Sequence, residues 1–124
     1  MEIKHAGLTV QERDVEIFYR GVMGFFIEGS FNLSEELATD IFDIKSSVDV
    51  YNLKKGQVIL ELFVYNAKHT KNVGFQHLCL VHSEAEDIYN KAKEKGYRTY
   101  LKQGKNKKTY FIKDQNNNIF ELKS

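Results

Sequence analysis

The chain has 124 residues, with 18 Lys and Arg against 17 Asp and Glu for a formal net charge of +1. That length suits one domain, and the balanced, mixed-sign charge leaves no electrostatic footprint for nucleic acid or for an anionic membrane surface. A single cysteine, Cys79, excludes an internal disulfide, and no apolar run approaches spanning length or a leader pattern, so the expectation is a cytoplasmic protein acting on a small molecule.

In chain order, Ile3 to Val10 has strand character, and Glu12 to Val22 carries Val15, Phe18, Tyr19 and Val22 at the spacing of one buried helix face, stopped at Gly24. Strands are expected over Phe25 to Ser30, Ile41 to Lys45, Val48 to Leu53 and Gln57 to Tyr65, with a hairpin turn at Lys54-Lys55-Gly56. Val73 to Val81 reads as another strand. Glu84 to Lys95 then repeats the helical spacing with Ala85, Ile88, Tyr89 and Ala92, opened by a capping-box pattern of Ser83 with Glu86 and stopped at Gly96. Tyr97 to Leu101, Thr109 to Lys113 and Asn118 to Lys123 complete the set, with Asp114 to Asn118 as a turn.

Strand, helix, three strands is therefore written twice, which predicts an α+β fold of two βαβββ modules, about 1–66 and about 72–124, within one domain. The first copy is longer, and the excess fits Phe31 to Asp40, which has no counterpart in the second half. His5 begins the first copy as His77 begins the second, in the shared pattern His-x-x-Leu. Glu61 and Glu121 share an apolar-apolar-Glu-Leu pattern in the last strand of each copy.

Alternation along strands decides where these side chains point. Ala6, Leu8 and Val10, then Leu60, Leu62 and Val64, then Leu78 and Leu80, then Phe120 and Leu122 belong to the helix side. His5, Glu61, His77 and Glu121 are left together on the opposite face, with Thr9, Ile59, Phe63, Tyr65, Cys79, Val81 and Ile119 as the walls of an apolar cavity. A carboxylate in such surroundings costs several kcal/mol unless a cation or strong hydrogen bonds compensate, and two His with two Glu suit a divalent metal. Taken singly, each has a plainer role: a strand His as a structural residue, a strand Glu as a solvent-facing one, Cys79 as a small apolar filler. Phe18 and Tyr19 read as core, His69 and His82 as surface, and Lys102, Lys105, Lys107 and Lys108 as a solvated hairpin tip that can also clamp an anionic tail.

His5-x-x-Leu8-x-Val10, Phe18-Tyr19 followed by Val22-Met23-Gly24-Phe25, Leu60-Glu61-Leu62, His77-Leu78-x-Leu80 and Ile119-Phe120-Glu121-Leu122 together resemble the vicinal oxygen chelate superfamily, the glyoxalase, bleomycin-resistance and extradiol-dioxygenase group, over essentially the full chain. The resemblance implies a glyoxalase-like fold, two βαβββ modules whose mixed sheet curls around a metal-site cavity. Bacterial metal-dependent lactoylglutathione lyases (glyoxalase I) look nearest, since they place His, Glu, His and Glu where this chain has His5, Glu61, His77 and Glu121. By that resemblance the four hold nickel, zinc, cobalt or manganese at the interface of a homodimer, His5 and Glu61 from one subunit and His77 and Glu121 from the other.

The implied reaction is a lyase or isomerase step on an alpha-oxygenated carbonyl, such as a hemithioacetal, through an enediolate. Glu121 is then the base and Glu61 a ligand that can return the proton. The arginine that glyoxalase I commonly carries in the first strand is Thr9 here, Asn66 is a loosely placed match for its asparagine, and the turn before the last strand is Asp114-Gln115-Asn116-Asn117, so the resemblance leaves the thiol carrier open. The alternatives are a metal-free small-molecule binding or resistance protein, a relative of the methylmalonyl-CoA epimerases, and a metal-dependent dioxygenase.

Overall fold

The apolar alternation expected for the strands and the spacing expected for the helices are both realised in a computed structural model of the chain, which describes residues 1–67 and 71–124. Strand β1 (Ala6–Val10) leads into helix α1, which begins over Glu12–Asp14 and continues as a π-helix over Val15–Val22. Within it the Met23 N–H reaches back five residues to the Phe18 carbonyl. Strand β2 (Phe26–Leu33), helix α2 (Glu35–Phe42), β3 (Val48–Lys55) and β4 (Val58–Val64) complete the first module. The second follows with β5 (His77–Val81), α3 (Ala85–Glu94), β6 (Arg98–Gln103), β7 (Lys108–Lys113) and β8 (Ile119–Lys123).

Each module is a four-stranded mixed sheet, ordered β1-β4-β3-β2 and β5-β8-β7-β6. In both, the opening strand lies parallel to the closing one and the remaining pairs are antiparallel. The helix-facing sides share one core: Phe18, Tyr19 and Val22 of α1 cluster with Leu60 and Leu62 of β4, Ala85, Ile88 and Ala92 of α3, and Phe120 and Leu122 of β8. Edge-on ring contacts of Phe18 with Tyr19 and Tyr97, and of Tyr19 with Phe120, knit that core across the repeat. Among the described residues, no helix is long and apolar enough to cross a membrane.

A buried polar clasp accompanies the apolar core. Asp14 is fully buried and Asp114 nearly so. Tyr97 donates its hydroxyl to Asp14 at 2.7 Å, Tyr19 donates to Asp114 at 2.7 Å, and Asp14 also accepts the Gln115 N–H. Asp114 further takes the backbone N–H groups of Asn116 and Asn118. The amides of Asn116 and Asn118 both donate to the Thr9 carbonyl of β1. The turn before the last strand is thus bolted to the first strand and first helix of the other module.

Four local expectations are corrected. Ile41 to Lys45 is not a strand, because α2 runs through Phe42. Ser34 accepts the Leu37 N–H at its start, and Asp43 ends it in the left-handed conformation at φ 58°. The expected Ser83 and Glu86 capping box is not formed; His82 opens α3 instead, its carbonyl taking the Ala85 N–H and its ring Nδ1 the Glu84 N–H. Of Val73 to Val81 only His77–Val81 is strand, and Val73 and Phe75 stand exposed. Ile3 to His5 precede the first strand rather than belong to it.

Candidate metal centre

Strand pairing sets the two His and Glu couples at one register. In the first sheet Gly7 is the cross-strand partner of Glu61, and in the second Cys79 is the partner of Glu121. His77 lies two residues before Cys79 within β5 and so sits on the face of Glu121, whereas His5, just ahead of β1, is placed by its contact with Glu61. The neighbours of the two glutamates, Leu60 and Leu62, and Phe120 and Leu122, are buried on the other face, as alternation requires. Glu61 and Glu121 themselves are only part-exposed.

The contacts within each couple differ. His5 Nε2 stands 2.9 Å from Glu61 Oε1. His77 Nδ1 lies 2.8 Å from the Phe75 carbonyl. A carbonyl only accepts, so Nδ1 is the donor in this contact, the arrangement in which metal-binding imidazoles are usually held. Glu121 has Lys123 Nζ at 3.4 Å. The Cys79 thiol donates to Glu121, which holds that carboxyl below its usual range, and the same contact pushes the thiol up. Among the described residues, no three His, Cys, Asp or Glu side chains converge in a single chain. The structure brings together His5 with Glu61, and Cys79 with Glu121, but not the quartet.

The remaining expected pocket residues divide between hollows. Thr9, Phe63 and Tyr65 line a hollow of about 190 Å³ over the outer face of the first sheet, roofed by α2. A Cβ at Gly7 would stand 3.3 Å from the Phe63 ring, so a larger residue there would push the ring aside by a few tenths of an ångström. His77 and Ile119, with Thr9, line a cleft of about 350 Å³ between β1 and β5. Val81 is 77% exposed and borders a separate hollow with Met23, Lys55 and Leu122. Ile59 lies two residues before Glu61 on its face, partly exposed, and Cys79 is exposed. Asn66 accepts the Glu12 N–H at the start of α1, a structural task. His82 is part-buried and His69 lies outside the described residues.

Two neighbours of the glutamates escaped the sequence reading. Asn52 pairs with Glu61 from β3, and Phe111 pairs with Glu121 from β7, each on the glutamate's face. Counting back from the two-residue turn at Gly56 would have found the first, because Lys55 opposite Val58 puts Asn52 opposite Glu61.

Residues 3–122 match the model of the Glyoxalase/Bleomycin resistance protein/Dioxygenase superfamily, and the chain belongs to that family. Similar solved structures include the glyoxalase family protein from Enterococcus faecalis, 22% identical with a TM-score of 0.70, covering 99% of this chain and 97% of that one. A glyoxalase family protein from Bacillus cereus is 16% identical with a TM-score of 0.73, covering 98% and 92%. A mutant of the fosfomycin resistance protein FosX from Listeria monocytogenes, complexed with Mn(II) and 1S,2S-dihydroxypropylphosphonic acid, is 12% identical with a TM-score of 0.75, covering 98% and 90%. At these identities the likeness is one of fold. No curated protein matches the chain.

Proposed function

We propose that the protein is a metal-dependent lyase or isomerase of the glyoxalase type, closest to glyoxalase I, acting on an alpha-oxygenated carbonyl such as a hemithioacetal. The observation that carries this reading is the duplicated register: a His and a Glu at matching positions on the outer faces of two sheets. The donor set fits the group. His77 already gives its Nδ1 proton to a backbone carbonyl, and His5 and Glu61 lie within contact of each other. His5, Glu61, His77 and Glu121 would hold a nickel, zinc, cobalt or manganese ion, which supplies Lewis-acid withdrawal of charge from the substrate's carbonyl.

The chain's own residues then divide the proton work. Glu121, held ionised to lower pH by the Cys79 thiol and Lys123, takes the proton from the carbon beside the carbonyl. Glu121 passes that proton to the enediolate oxygen that was the carbonyl, and Glu61, its counterpart in the other module, takes the proton of the adjacent hydroxyl and delivers it to the neighbouring carbon, so that both carboxylates end ionised as they began.

Because the two couples do not converge among the described residues of one chain, completing the set calls for a second, and the outer faces support a homodimer. Phe26 on the first sheet is 71% exposed and Tyr100 on the second is 62% exposed, each on the same face as its glutamate. Exposed aromatic groups on both faces favour a cover, and pairing the first module of one subunit with the second of another would cover both at once. Elemental analysis of the purified protein is expected to find a divalent ion, and assays with methylglyoxal and a series of thiols to find turnover that Glu121→Gln abolishes. No turnover with any thiol would overturn the substrate assignment, and no retained metal would overturn the centre itself.

A further inference from the structure

The two outer faces are not equivalent, and the difference lies in the insertion. Between β2 and β3 the chain builds α2, whereas the matching connection between β6 and β7 is a hairpin around Gly104. Helix α2 is well made for its length. Ser34 caps one end, Asp43 closes the other, and the Thr39 hydroxyl donates to the Glu35 carbonyl at 2.7 Å. It lies over the glutamate's side of the first sheet: Phe42 meets Phe63 edge-on with ring centroids 5.4 Å apart, and Ala38, Val48 and Val50 are buried outside the main core.

Beneath the helix remains a hollow of about 190 Å³, lined by Leu33, Ala38, Phe42, Ile44, Val48 and Phe63, with Thr9 and Tyr65 as its polar members. An apolar cavity of roughly 150 Å³ is large enough to bind benzene, so this one has room for a ring or a branched alkyl group. Phe63 is two residues from Glu61 and Thr9 two from Gly7, which places the hollow beside the His5 and Glu61 couple on the same face. Among the described residues the second sheet has no counterpart of α2 between β6 and β7, and its corresponding end carries Lys105, Lys107, Lys108 and Lys123 around a hollow of its own.

We infer that the α2-roofed hollow is the subsite for an apolar aryl or branched-alkyl substituent, so that the protein selects alpha-oxygenated carbonyl compounds bearing such a group over those bearing a methyl. The inference rests on the reading of the His and Glu couples as the reacting centre. Its test is built on a ratio that the reacting centre alone does not set. Mandelate and lactate share an alpha-hydroxy acid and differ in phenyl against methyl. Each is titrated into the purified full-length protein, with and without added zinc, while the methyl resonances of Leu33, Ile44 and Val48 are followed by NMR.

Mandelate is expected to bind about tenfold or more tighter than lactate and to shift those three residues, since even one methylene in an apolar pocket is worth that order of discrimination. Ala38→Leu, which fills the hollow, should bring the ratio close to one. Phe42→Ala, a change on a half-exposed side chain that leaves the main core untouched, should lower it severalfold. Glu61→Gln should weaken both acids and keep the ratio. Equal binding of the two acids, no binding of either, or a preference that survives both Ala38→Leu and Phe42→Ala would overturn the subsite. A preference that stays while added zinc strengthens the binding of neither acid would overturn the metal-dependent reading and leave the subsite standing.

Discussion

At the scale of single residues, the proposed chemistry turns on hydrogen bonds at the two His and Glu couples. His77 gives its Nδ1 proton to the Phe75 carbonyl, so Nε2 is the nitrogen available to a cation. His77→Ala or Glu121→Ala should weaken divalent-metal binding by more than about 100-fold, beyond the loss usual for a supporting partner, as read by calorimetric titration. Glu121 is held below the ordinary carboxylate range chiefly by the Cys79 thiol. A carboxylate depressed in the folded protein contributes stability above its unfolded value, and that contribution is lost as pH falls through the native one. Cys79→Ala should therefore move the Glu121 titration to higher pH, which carboxyl-carbon NMR of metal-free protein would follow. An unmoved titration would remove Cys79 from the account. Alternation alone made the face of both glutamates legible, because Leu60, Leu62, Phe120 and Leu122 leave no doubt about which side is core. Asn52 and Phe111 were not legible that way, since they come from other strands and depend on register.

At the scale of elements, the two long helices and most strands could be read from periodicity, whereas α2 could not. Ile41 and Phe42 form a short apolar run that suits a strand as well as a helix, and the arbiters were the Ser34 cap and the left-handed Asp43 at its ends. The Asp114 turn was read as a turn, but its partners Tyr19 and Asp14 lie far away in sequence and gave no local sign. Asp114→Ala would orphan the Tyr19 hydroxyl and two backbone N–H groups and should cost about 2 to 4 kcal/mol in denaturant unfolding. Phe120→Ala, at the meeting of both modules, should cost about 3 to 5 kcal/mol. Burial raises the Asp114 carboxyl above its ordinary value. A raised native value favours the folded state below the unfolded one, and the advantage is lost as pH rises through the native value. The stability gap between wild type and Asp114→Asn should accordingly widen in favour of wild type as pH falls through that window.

At the scale of the molecule, the shared core turns the helix-facing sides of the two sheets toward common ground, and each outer face carries one of the proposed His and Glu couples. The proposed enzyme is thus completed by a second copy, with His5 and Glu61 of one chain meeting His77 and Glu121 of another. Mixing tests this most directly. His5→Ala and His77→Ala, each refolded alone, should bind almost no divalent metal tightly. Co-refolded in equal amounts, half the dimers pair one variant with the other, and each such dimer regains one intact centre, so tight binding should return to roughly a quarter of the wild-type level. Recovery near that level, with light scattering showing dimers, is the predicted result. A mixture that binds no more metal than the separate variants would contradict the shared centre.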